Sequence, residues 1–329
     1  MTFVDPELQS FVPLLPDLDL NADTLGALRA AFAEAPPLHA PPVAADAVTR
    51  DEVLIPTALD GVSVRALVYR PAAARAPHPA VLHIHGGGFV LARPEWNDLR
   101  NRYLAADLGC IVVSPDYRKP PEVPFPGPVE DCYAALRWLA SQPEVDRRRI
   151  AVRGESAGGG LAAAVALLAR DRAEVSLAFQ HLVYPMLDDR TGTPDELAPS
   201  ALTGGIGWNR AANRFAWDAM LGALSPGARG RMDPSPYAAP SRARELTGLP
   251  PALIQVGTLD LFFEEDLAYA RRLVRDGVAT TLHVYAGAFH GFDMFPGSTG
   301  EAHLLREGHE AMRRALSMGA MLPHVDARA

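Results

Sequence analysis

Apolar residues in this chain fall into short, nearly unbroken runs at 62–69, 80–85, 110–114, 150–153, 177–184, 252–256 and 281–285. Each run reads as a buried strand, and the Asp60-Gly61 turn signal introduces the first. Between the runs, apolar positions recur at helical spacing over 97–107, 129–141, 156–170 and 264–276. Strands that are apolar on both faces, alternating with helices, predict a mostly parallel sheet covered on both sides, an α/β fold.

Two stretches break that rhythm. The first, residues 1–45, holds scattered prolines and one helical pattern from 21 to about 34. Asn21 can cap its start, Leu25, Leu28 and Phe32 share a face, and Pro36 and Pro37 stop it. A lone helix cannot hide such a face, so it must dock elsewhere. The second, 188–248, has no strand pattern and carries Trp208, Phe215, Trp217 and Met220 at roughly helical spacing. It reads as a helical insertion between two sheet strands. Ligands of open α/β sheets bind at the carboxyl ends of the strands, so an insertion there would wall a pocket. The expected organisation is 1–45 as the N-terminal part of a cap, 46–187 and 249–329 as the catalytic domain, and 188–248 as the rest of the cap.

Composition removes other function classes. Hydrophobic residues are 48% and charged residues 21% of the 329, which suits a globular α/β protein. The formal charge is −8, and Lys119 is the only lysine, with no basic block to suggest a nucleic-acid partner. Cys110 and Cys132 sit in apolar contexts and read as buried free thiols rather than a disulfide framework or metal site. There is no apolar run of membrane-spanning length, and the N-terminus lacks a basic, apolar signal pattern. By elimination, the expected location is cytoplasmic.

The chemistry centres on Gly154-Glu155-Ser156-Ala157-Gly158, between an apolar strand and a helix opened by Gly159 and Gly160. A turn this sharp holds the serine in strained backbone and projects its hydroxyl into the crevice at a positive helix end. A second motif, His85-Gly86-Gly87-Gly88-Phe89, directly follows a strand. Three glycines are costly to order. They suit a loop whose N–H groups must approach an anion without intervening side chains. Gly86, Gly87, Gly88 and Ala157 are therefore the expected oxyanion cradle, with Gly86 setting the turn. His85 and His83 read as structural.

A serine nucleophile needs a base. Of the ten histidines, His290 lies just past the last strand, where a loop can reach the serine. Imidazole takes and returns a proton near neutrality. His283 falls within a strand, and it, His303, His309 and His324 read as surface residues. Asp260, in the loop after the preceding strand, is the expected orienting carboxylate, with Asp188 and Asp189 as competitors. Glu264, Glu265 and Asp266 read as acids placed to suit the start of the next helix. The chain order Ser156, Asp260, His290 is that of an α/β-hydrolase triad.

With these residues in place, the chain resembles the bacterial hormone-sensitive lipase family of esterases, family IV. The likeness runs from about 79 to 292. It is carried by His85 to Phe89, Asp116-Tyr117-Arg118, Phe125-Pro126, Glu130-Asp131, Gly154 to Gly158, Leu249 to Ala252, Asp260, Tyr269-Ala270 and His290-Gly291-Phe292. Two places depart from the family pattern. Glu155 stands where Asp or Thr is usual, and Lys119-Pro120-Pro121-Glu122 replaces the commoner Leu-Ala-Pro-Glu. The resemblance implies an α/β-hydrolase fold with an eight-stranded, mostly parallel sheet and a helical cap. It also implies carboxylesterase activity on short- to medium-chain acyl esters, no cofactor, and the homodimer frequent in the family. Phe89, Trp208, Phe215 and Phe292 are the candidates for substrate contact. An amidase, formamidase or lipase could use the same scaffold. A non-catalytic small-molecule receptor would be expected to have lost a triad member, and all three are present.

Overall fold

Eight strands form one sheet in the order β1-β2-β4-β3-β5-β6-β7-β8 in the computed structural model, which describes residues 3–15, 18–59, 61–72, 76–224 and 233–319. β1 (Val48–Pro56), β2 (Ser63–Pro71) and β4 (Ile111–Pro115) pair antiparallel in sequence. β3 (His78–Ile84), β5 (Val145–Glu155), β6 (Phe179–Val183), β7 (Ala252–Gly257) and β8 (Thr280–Tyr285) extend the sheet from β4 in parallel. The fold class expected from the chain's patterning is the one observed.

The pattern located seven of these strands and missed β1. Its sequence, Val-Thr-Arg-Asp-Glu-Val-Leu-Ile-Pro, is mostly exposed and pairs only with β2. An edge strand needs few apolar side chains, and charged ones protect it from pairing with other chains. Asp60 of the turn signal lies outside the described residues, as does His324.

Helices cover both faces. α2 (Asp98–Leu108) and α7 (Thr299–Met318) pack on one, where Leu104, Met312 and Leu316 meet Val81, Val112 and Leu253. α3 (Gly127–Ser141), α4 (Ala157–Arg172) and α6 (Phe263–Arg275) lie on the other with the larger core. α4 is buried from Ala157 to Ala169, which explains why its inner positions are almost all Ala, Gly, Leu or Val.

That larger core also takes in the two stretches outside the sheet pattern. α1 (Leu25–Glu34) buries Leu25 and packs Leu28 and Phe32 against it. The helix starts later than the pattern suggests, because Asn21 Oδ1 accepts from the N–H groups of Asp23 and Thr24 in a turn before it. The described part of 188–248 holds α5 (Arg210–Met220) and no strand. Asn209 caps α5 by accepting from Ala212 N–H, and its amide donates to the Leu18 carbonyl, joining the insertion to the N-terminal segment. No described helix is long and apolar enough to cross a membrane.

Candidate active site

Ser156 sits between β5 and α4 with φ +56° and ψ −123°, a conformation L-residues rarely adopt. Two backbone bonds hold it there. Ser156 N–H donates to Val183 O at 2.9 Å, and Ser156 O accepts from Met186 N–H at 3.0 Å. Gly154 and Gly158 make the turn sterically feasible: a side chain on Gly154 would strike the Gly158 backbone, and one on Gly158 would strike Ile84 and His85.

His290 follows β8, and its Nε2 lies 2.9 Å from Ser156 Oγ. On the other side of the ring, Nδ1 lies 2.8 Å from Asp260 Oδ2. With Nδ1 protonated, the imidazole donates to the carboxylate and accepts from the serine hydroxyl. Asp260 is fully buried, and its second oxygen accepts from Phe262 N–H at 2.9 Å. Ser156 and His290 are only 6% and 8% exposed, so their chemistry would proceed largely out of bulk water.

The competing carboxylates are engaged elsewhere. Asp188 holds Arg190 and Asp189 holds Arg242. Glu264, Glu265 and Asp266 lie in the first turn of α6, as expected, and Glu265 and Asp266 are buried there. Glu265 accepts from Leu187 N–H, Asp188 N–H and the Thr191 hydroxyl, so it ties the insertion to α6.

Peptide planes in the glycine loop are fixed one by one. Buried His85 stacks on Tyr117 with ring centroids 4.5 Å apart, and its Nδ1 lies 2.8 Å from Gly86 O. Burial pushes its pKa down to about 3, so the ring stays neutral and can donate to that carbonyl. Gly87 O accepts from Leu91 N–H at 2.8 Å. In a trans peptide the N–H points opposite to the C=O, so anchoring Gly86 O and Gly87 O aims the N–H groups of Gly87 and Gly88 the other way. Among the described residues, the N–H groups of Gly87, Gly88 and Ala157 have no acceptor. Gly86 lies against Ser156: a side chain there would come 3.4 Å from Ser156 Cβ. Gly87 and Gly88 take φ +104° and +56°.

The four aromatic candidates have different surroundings. Trp208 lies over Gly88, where any side chain would collide with its ring, and its ring centroid is 6.5 Å from that of His290. Its indole N–H donates to Asn213 Oδ1 at 3.0 Å. Phe89 is buried edge-on to Trp217, and Phe215 packs half-buried on the main core. Phe292 has no exposed surface and packs between Tyr184 and Tyr285, which makes it a prop for the His290 loop.

Sequence reasoning did not find the buried ionic groups around the site. Glu155 contacts His83 Nε2 at 2.8 Å and Arg153 at 2.7 Å. Asp293 is paired with Arg100, and both are essentially inaccessible. His309, expected at the surface, is 4% exposed, bonded to Asp107 and stacked on Tyr103. A helical pattern reports which face is apolar, and cannot mark a charged residue whose partner comes from a distant segment.

A family model described as α/β hydrolase fold matches residues 81–294. The carboxylesterase NlhH of Mycobacterium tuberculosis is 33% identical over 95% of this chain and 96% of its own. The esterase LipI of the same organism is 36% identical over 74% of this chain and 72% of its own. A solved structure titled bacterial heroin esterase superposes with a TM-score of 0.84 and 38% identity, covering 96% of this chain and 99% of that one. With its sheet, its serine turn and these relatives, the chain belongs to the α/β-hydrolase fold family, in the hormone-sensitive-lipase-like group of esterases.

Proposed function

We propose that this protein is a carboxylesterase that cleaves short- to medium-chain esters through an acyl-Ser156 intermediate. The observation that carries the reading is the continuous chain Asp260–His290–Ser156, with contacts of 2.8 and 2.9 Å, beside N–H groups left without acceptors. His290 takes the Ser156 proton as Oγ attacks the ester carbonyl. The oxygen of the tetrahedral intermediate is met by Gly87, Gly88 and Ala157 N–H. His290 then protonates the departing alcohol, and the same ring activates water to release the acid. Asp260 holds the ring's tautomer and stabilises its cation. The relatives named esterase and carboxylesterase support an ester substrate.

We assign residues 1–45 and 188–248 to one cap. The Asn209–Leu18 bond supports that division. Trp208 would border the alcohol or acyl pocket above the glycine loop. The test is hydrolysis of p-nitrophenyl butyrate by the Ser156→Ala and Asp260→Asn variants. Ser156→Ala is expected to be inactive while folded, and Asp260→Asn to lose about 10⁴-fold in kcat. Turnover retained by Ser156→Ala would overturn the reading.

A further inference from the structure

Tyr184 is the first residue after β6, and it lies between the two bonds that fix the nucleophile: Val183 O accepts from Ser156 N–H, and Met186 N–H donates to Ser156 O. It has the unusual backbone angle φ +34°, and Tyr184 N–H donates to Gln255 O on β7 at 2.7 Å. The side chain runs toward the other half of the relay. Its ring stands edge-on to His290, with centroids 4.6 Å apart and planes at 63°. Its hydroxyl donates to Asp293 Oδ1 at 2.6 Å, three residues beyond His290. Asp293 is held in turn by Arg100 of α2, whose guanidinium pairs with the carboxylate and donates to the Asp293 carbonyl at 2.6 Å. Tyr184, Arg100 and Asp293 are all at most 2% exposed.

We propose that Tyr184 is a positioning residue for catalysis, a strut that sets the distance and angle of the His290 ring relative to Ser156. Its backbone stretch belongs to the segment bonded to the nucleophile, and its side chain bears on both the imidazole and the loop that carries it. Asp293 and Arg100 form the anchor that keeps the strut from swinging. Removing the phenolic hydroxyl leaves the ring in contact but frees its far end, so the imidazole gains angular freedom. Such freedom costs rate in the chemical step and little in substrate binding, because misalignment of reacting groups is paid for in the transition state. This role rests on the Ser156–His290 relay proposed above.

The test compares Tyr184→Phe and Tyr184→Leu with the unaltered enzyme, using p-nitrophenyl butyrate and counting competent sites by titration with an organophosphate. Counting sites restricts the rates to correctly folded molecules. The expected result for Tyr184→Phe is a fall of roughly tenfold in kcat with KM within about twofold, and a larger loss for Tyr184→Leu. The downfield proton resonance of the His290–Asp260 bond is expected to broaden in both variants. Unchanged kcat per titrated site and an unchanged resonance in Tyr184→Phe would overturn the proposal. Ser156→Ala, assayed alongside, separates this failure from failure of the relay itself, which would show as retained turnover in that variant.

Discussion

Glu155 Oε2, in the residue before Ser156, rests 2.8 Å from His83 Nε2 and is almost out of reach of water. Burial alone would raise the Glu155 pKa, but Arg153 and His83 outweigh it and hold the carboxyl well below the usual range. Glu155→Gln would leave the Arg153 charge buried without its counter-ion, a loss of about 3–5 kcal/mol at neutral pH. A carboxyl with a depressed folded pKa contributes stability above its unfolded pKa and loses it as pH falls through the folded value. Thermal melts should therefore separate the variant from the parent most at neutral pH and least in acid. Equal separation at every pH would show that the charge of Glu155 is not what matters.

Asp266 presents the opposite sign. Both of its oxygens are buried without a partner, and burial, followed by the nearby Glu265 and Asp260, raises its pKa well above the usual carboxylate range. The folded protein thus binds this proton more tightly than the unfolded chain. Stability from it is complete below the unfolded pKa and is lost as pH rises toward the folded one. Asp266→Asn should be more stable than the parent at pH 8, by about 1–3 kcal/mol of unfolding free energy, and melt higher, with the gap closing toward pH 4. A lower melting temperature at pH 8 would count against it.

The glycine loop yields a kinetic expectation. Gly87 has φ +104°, and a side chain there would come within 2.7 Å of Leu91 O. Gly87→Ala must shift the loop and so turn away the N–H that the proposed mechanism points at the oxyanion. A decrease of about 10²–10³ in kcat is expected, measured per titrated site with p-nitrophenyl acetate. Wild-type kcat would mean that this donor plays no part.

Trp208 and Gly88 form a matched pair, since the indole fills the space that any larger residue at position 88 would need. Gly88→Ala should destabilise the enzyme, and adding Trp208→Ala should recover part of the loss, with a coupling of about 0.5–3 kcal/mol in denaturant melts. Trp208→Ala alone should move kcat/KM toward bulkier esters across an acyl-length series. Strict additivity of the two changes would indicate that they do not meet in solution.

Much of this molecule is legible from its amino acids. Apolar runs gave seven strands and the helices between them, and chain order singled out Ser156, Asp260 and His290, which the fold brings within hydrogen-bonding distance. What escaped has a common physical origin. β1 is an edge whose side chains mostly face water, so no apolar signal marks it. Arg100, Arg153, Asp266 and His309 are buried although their types favour the surface, because tertiary neighbours supply a partner or, for Asp266, because burial suppresses the charge. By sequence Phe292 is a candidate for substrate contact, but the 3₁₀ turn Phe292–Met294 directs it into the core.

His290 is carried on the loop that leaves β8, one edge of the sheet, whereas Ser156 springs from β5 near the middle. A chain regaining its shape from denaturant could form helices and the central strands and still be inert. Turnover requires both halves to be joined, so recovered activity reports docking of the C-terminal flank on the central strands, which far-ultraviolet ellipticity alone does not.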